Sequence, residues 1–189
     1  MNYKELFDRA VLLISSPAKA WDEIGEERSG KKVMSEFVYP MIGLCGLSVF
    51  IGTFIGNTAG VSAFHIAMTR CCATFVSLFG GFFLATYLTN LLGKNMLGRE
   101  DEPDLNQQFV GYAMVVTFLL DIVSGLFAIS ILHWILQFYT LFVVYEGARS
   151  LMGVAEKHLT RYSLIASVII IVCPVLIATV FDKLSLIVN

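Results

Sequence analysis

The chain has 189 residues, 57% of them hydrophobic and 15% charged, with 15 Phe and a formal net charge of −2. A soluble domain carries about 25% charged residues, so this balance excludes an ordinary soluble fold, and it excludes intrinsic disorder. Nucleic acid as a partner needs a basic surface, which this chain lacks; a bundle of membrane-spanning helices is the class that fits.

The first 36 residues carry thirteen charges and read as a cytoplasmic N-terminal region. No apolar core and cleavage site follow the first basic residues, so the segment does not read as a signal peptide. Tyr3, Leu6, Phe7, Ala10, Val11 and Ile14 recur at helical spacing, with Lys4, Glu5, Asp8 and Arg9 opposite. That pattern predicts an amphipathic helix. Ser16-Pro17 reads as an N-cap followed by Pro at the first helical position. A second short helix carries Ala20, Trp21 and Ile24 on its apolar side and ends near Glu27. Phe7, Val11 and Trp21 are expected to insert at the membrane interface, with Lys4, Arg9, Lys19, Lys31 and Lys32 near anionic headgroups. The alternative is that both helices merely cover the cytoplasmic end of the bundle.

Residues 37–189 read as the membrane domain. Five apolar stretches lie at about 37–58, 72–92, 109–128, 131–150 and 162–181. Each approaches the ~20 residues that cross a ~30 Å hydrocarbon layer as a helix. The predicted fold is therefore all-α: a polytopic helical bundle of five transmembrane helices behind cytoplasmic amphipathic helices. The third and fourth spans touch around Ala128-Ile129-Ser130 and predict a tight hairpin. With the N-terminus inside, eleven of the 13 Lys and Arg fall on the inner side, and only Arg70 and Lys183 fall outside. The positive-inside rule then puts the N-terminus in the cytoplasm and the C-terminus on the far side of the cytoplasmic (inner) membrane.

Small residues mark helix contacts in lipid, because they let backbones approach. Ser48, Gly52, Gly56 and Gly60 recur every four residues, as do Ser77, Gly81 and Ala85, and Ala113, Thr117, Asp121 and Gly125. Two readings are open: packing inside one chain, or a homodimer through Gly52, Gly56 and Gly60.

Asp121 lies about two thirds of the way along the third span. A carboxylate there costs a few kcal/mol unless it is protonated or paired. Folding about residue 129 brings Gln137 level with it, and His133 one turn nearer the far surface. Asp121, His133 and Gln137 form either an interhelical clamp or an intramembrane proton or cation site. Near the inner end of the fourth span, Glu146 and Arg149 are three apart and can pair on one helix face. Glu100-Asp101-Glu102-Pro103-Asp104 is acidic but lacks calcium-loop spacing, and reads as a solvated loop.

Cys45, Cys71, Cys72 and Cys173 form no CxxC pair and read as small apolar fillers. There is no phosphate loop, HExxH or GxSxG motif. No catalytic residues, metal site or cofactor are expected.

Several stretches carry a family likeness. Leu12-Leu13-Ile14-Ser15-Ser16-Pro17-Ala18-Lys19-Ala20-Trp21-Asp22-Glu23-Ile24 resembles the opening of prokaryotic members of the Yip-one domain family. Val38-Tyr39-Pro40-Met41 resembles that family's entry into its first span. Phe109-Val110-Gly111-Tyr112-Ala113 is similar to its third-span opening, and Tyr145-Glu146-Gly147-Ala148-Arg149 to the inner end of its fourth. Eukaryotic relatives contact Rab/Ypt GTPases and carry an Asp-Leu-Tyr-Gly-Pro motif. That motif is absent here; Asp104-Leu105-Asn106 is a two-residue echo. The resemblance implies a membrane protein without enzymatic activity.

The function expected is a non-enzymatic membrane-organising or adaptor protein, acting through its amphipathic region and bundle. Its partners would be the lipid bilayer and a protein on the cytoplasmic side. The alternative is a small transporter or channel using Asp121, His133 and Gln137.

Overall fold

The computed structural model describes residues 3–27, 33–56, 60–127 and 135–188. Its elements are α1 (Tyr3–Ser15), α2 (Pro17–Glu27), a π-helical turn (Met34–Val38), α3 (Tyr39–Gly56), α4 (Gly60–Leu97), α5 (Pro103–Ala113), α6 (Val115–Phe127), α7 (Tyr139–Ser150) and α8 (Glu156–Val188). No strand occurs among the described residues.

The local chemistry explains the breaks. Ser16 separates α1 from α2, and Pro17 opens α2, where its missing N–H costs nothing. The π-helical turn ends where the Tyr39 N–H bonds the Met34 carbonyl, five residues back. Pro40 has no N–H and would clash with the carbonyl four residues earlier, and the widened turn lies just ahead of it. Gly98 stops α4 at φ +62°, a left-handed conformation that glycine adopts without a Cβ penalty. α5 and α6 are two parts of one rod: the Met114 N–H reaches the Val110 carbonyl at 3.0 Å, and the Phe118 N–H reaches Met114 at 2.9 Å.

Four helical stretches are long and apolar enough to cross a membrane: Met34–Ile55, Ala63–Leu97, Pro103–Phe127 and Glu156–Leu184. They correspond to the first, second, third and fifth predicted spans. The fourth, predicted over 131–150, falls partly outside the described residues. Its described part is a helical turn at 135–137 and the 12-residue α7. At 1.5 Å per residue, α7 is about 18 Å long, short of a ~30 Å layer.

The second span differs from expectation. The apolar stretch puts its start at about residue 72, with Arg70 outside it. Instead α4 begins at Gly60 and runs 38 residues, about 57 Å. No Pro interrupts residues 60–71, so the helix continues beyond its apolar stretch, and Arg70 sits exposed on its side. Gly60 thus belongs to α4 and cannot continue the Gly52 stripe, since α3 ends at Gly56.

α8 lies along α4, while α3 packs between α4 and α6. α1 and α2 are part of the same body: Leu6, Leu13, Trp21 and Ile24 belong to one apolar core with Phe37, Phe82, Phe109 and Val143. The N-terminal helices are therefore built into the bundle. The Tyr139 hydroxyl donates to the Ile14 carbonyl at 2.6 Å, and the Ser150 hydroxyl to the Asp22 carboxylate at 2.5 Å. α2 packs against α7.

Candidate functional site

Three places carry chemistry. The first is a knot around Trp21. Its ring is 0% exposed. Its indole N–H donates to the Val143 carbonyl at 2.9 Å, which satisfies the one polar atom of a buried Trp. Phe109 lies 5.8 Å away and Tyr112 stands edge-on at 6.2 Å, centroid to centroid. Gly147 is the seat of the ring: a Cβ there would stand 2.6 Å from Trp21. Gly111 plays the same part beneath Val38, where a Cβ would approach to 2.9 Å. Arg9 lies over the Tyr112 ring, 5.8 Å from its centroid, a cation–π arrangement.

This corrects the interfacial role expected of Trp21. Helical spacing put Trp21 on an apolar face, but it could not say whether that face meets lipid or protein. Phe7 and Val11 do stay exposed on α1, with Tyr3 beside them. The two glycine seats went unremarked in the sequence. Their only signal was their place in two of the stretches that carry the family likeness.

The second place is a pocket of about 200 Å³ between α4, α6, the 135–137 turn and α8. Ser77, Thr117, Asp121, Gln137 and Pro174 are among its walls. Asp121 and Gln137, predicted to share a depth, do meet here. The Gln137 amide N–H donates to Thr117 Oγ1 at 2.8 Å. His133 lies outside the described residues.

The small-residue stripes are used inside the chain. A Cβ on Gly52 would stand 1.8 Å from the Gly125 carbonyl oxygen, so α3 and α6 touch backbone to backbone. Gly81 is pressed on Pro174 of α8, with a Cβ approach of 2.6 Å, and Ala85 is buried. Gly52 thus packs on α6 within the chain. Cys45, buried, donates to the Phe118 carbonyl at 3.3 Å.

The third place is a cleft of about 870 Å³ between α2, the 98–104 turn and the end of α7. Asp22, Glu26, Glu102 and Asp104 line it, with Arg99. Arg99 donates to the Met152 carbonyl, which ties the end of α4 to the end of α7. Glu146, half-buried, and Arg149, exposed, make no ion pair with each other. No group of three His, Cys, Asp or Glu able to hold a metal ion occurs among the described residues.

Asp101 is better held than a free loop acid. Lys94 Nζ stands 2.7 Å from its Oδ2, and Asn90 donates to its Oδ1. These donors hold its carboxyl below the usual carboxylate range, Lys94 most of all. A depressed pKa stabilises the fold above the usual carboxylate range, and the contribution fades as pH falls through the lowered value. In an NMR titration, Lys94→Met should move the Asp101 midpoint up toward the ordinary carboxylate value. An unmoved midpoint would show that the ion pair does not set it.

The Yip1 domain family model matches residues 11–177, from within α1 to beyond Pro174 of α8. No curated protein and no solved structure matches the chain. All four stretches of likeness lie within the matched range. They meet in space, with Trp21 seated on Gly147 and tilted against Phe109, and Val38 seated on Gly111. A multi-pass helical bundle whose N-terminal helices lock into it at this knot is therefore what the matched residues build, and the chain belongs to the Yip1 domain family.

Proposed function

We propose that this chain is a non-enzymatic membrane-organising protein, oriented with its N-terminus in the cytoplasm and its C-terminus on the far side. The observation that carries this reading is the two-sided α1 helix. Leu6, Ala10 and Leu13 seat it on the bundle, while Tyr3, Phe7 and Val11, 69%, 64% and 46% exposed, form an outward apolar stripe one helical turn apart. An apolar stripe of this kind favours the headgroup–acyl boundary. Because α1 is seated on the bundle by Leu6, Ala10 and Leu13 and the adjoining α2 is pinned at Trp21, the stripe is a fixed projection and not a loose tail. It would widen the protein within one leaflet, a shape that favours curved bilayers.

The full-length protein, reconstituted into vesicles of mixed size, should enrich in the small ones. Phe7→Glu combined with Val11→Glu should abolish the enrichment with thermal stability nearly unchanged, since both side chains point outward. Equal sorting of the wild-type chain among large and small vesicles would refute the reading.

A second reading is favoured by one observation, the cavity at Asp121 and Gln137. Here the chain is a small transporter or channel working through that cavity. Flux of cations into proteoliposomes tests it.

A further inference from the structure

Gln137 and Thr117 put an acceptor and a donor side by side on the pocket between α4, α6 and α8. Both residues are 6% exposed. The Gln137 amide N–H donates to Thr117 Oγ1 at 2.8 Å. A carboxamide carries its donors and its acceptor on opposite arms, so this bond leaves Oε1 on the other arm. Oε1 is buried and has no hydrogen-bond partner among the described residues. The Thr117 hydroxyl accepts from Gln137 and still has its own proton to give. Ser77, on the α4 side, spends its proton on the Thr74 carbonyl at 3.0 Å. The other walls are apolar: Leu78 on α4, and Ile171, Pro174, Val175 and Ala178 on α8.

Asp121 also lines the pocket, and it already has an interaction of its own. A cation entering would therefore find no spare counter-charge, and an anion would face a carboxylate. Unpaired charge at this depth is costly, so the ligand that fits is neutral. Its polar group must both give and take a hydrogen bond, because Gln137 offers an acceptor and Thr117 a donor. A hydroxyl does both with one oxygen. The rest of the ligand must be apolar to match Leu78, Ile171 and Val175. Val175 is 49% exposed on a helix apolar enough to cross the membrane, so the pocket opens toward lipid and such a molecule enters from the bilayer. A volume of about 200 Å³ holds about six water-sized groups, at about 30 Å³ each. That is room for a hydroxyl and the first few carbons of a chain.

We infer that this pocket binds the hydroxyl end of a neutral, membrane-dissolved alcohol, held between the Gln137 amide oxygen and the Thr117 hydroxyl. The site goes beyond both readings of function, since it requires neither sorting among bilayers nor ion flux.

For the test, full-length protein in lipid nanodiscs is irradiated with a hexanol that carries a diazirine, and the labelled residues are mapped by mass spectrometry. Ser77 and Leu78 on α4, and Ile171 and Ala178 on α8, should label saturably, and excess 1-hexanol should protect them. Hexyl methyl ether keeps the chain and the acceptor oxygen but has no proton to give Gln137. At equal concentration in the bilayer it should protect about tenfold less well, as the loss of one good hydrogen bond predicts. Labelling of these walls that does not saturate overturns the inference, and so does equal protection by the alcohol and the ether. Both comparisons use the wild-type chain, so they stand whether or not a variant folds. In Gln137→Leu the advantage of hexanol over the ether should disappear. A folded Gln137→Leu chain that keeps this advantage in full overturns the site as well.

Discussion

Trp21→Ala should be the most damaging single substitution in the N-terminal helices, costing about 3–5 kcal/mol as for a large buried aromatic in a core. The loss has three parts. The ring leaves a void between Phe109, Tyr112 and Gly147, which those neighbours cannot fill. The Val143 carbonyl loses the indole N–H, its 2.9 Å partner. α2 also loses its central anchor on α7. Trp21→Phe keeps most of the volume and gives up the hydrogen bond, so about 1 kcal/mol is expected. The two variants can be compared by thermal unfolding in detergent. Limited proteolysis adds a local readout: cleavage within residues 17–27 should accelerate in Trp21→Ala well before the bundle melts. Equal protection of wild type and Trp21→Ala would show that α2 is held by other contacts, such as Tyr139 to Ile14 and Ser150 to Asp22.

The second large effect is at Gly52. In Gly52→Ala the new Cβ meets the Gly125 carbonyl oxygen at 1.8 Å. That atom is backbone and cannot rotate away, so α3 and α6 must separate along their contact. Overpacking costs about 1–3 kcal/mol and occasionally more; the backbone obstacle puts Gly52→Ala at the upper end. Gly43 provides the control on the same helix. Nothing lies within 4 Å of a Cβ there, so Gly43→Ala should be neutral or gain up to about 1 kcal/mol from helix propensity. Thermal midpoints in detergent measure both. The same pair distinguishes internal packing from dimerisation: Gly52→Ala should lower stability without changing the oligomeric state by analytical ultracentrifugation. A change in association with unaltered stability would restore the dimer reading.

The helical spacing of residues 3–14, the Ser16-Pro17 break and four long apolar stretches are all visible in the sequence, because helix formation and bilayer thickness both act locally along the chain. The start of α4 was less legible. Apolarity marks where a helix sits in lipid, whereas helix propensity marks how far it extends, and in residues 60–71 the two disagree. Asp121 and Gln137 were legible as depth partners from their distances to one turn. The commitment of the Gln137 amide to Thr117 was not, since it depends on how two helices rotate against each other.

The sequence by itself determined the class of this protein: an all-helical membrane chain with an amphipathic start, small-residue contact stripes and one acid deep in an apolar stretch. Those properties follow from composition and period, which each residue carries wherever it is placed. Only the tertiary structure decided what each face meets. It turned Trp21 from lipid to protein, because Gly147 leaves a hollow the size of its ring. It spent the Gly52 face on Gly125 within the chain. It also set Asp121 and Gln137 on one pocket. Partners of this kind lie up to 126 residues apart, as Trp21 and Gly147 do, and pairing over such separations is fixed by packing alone.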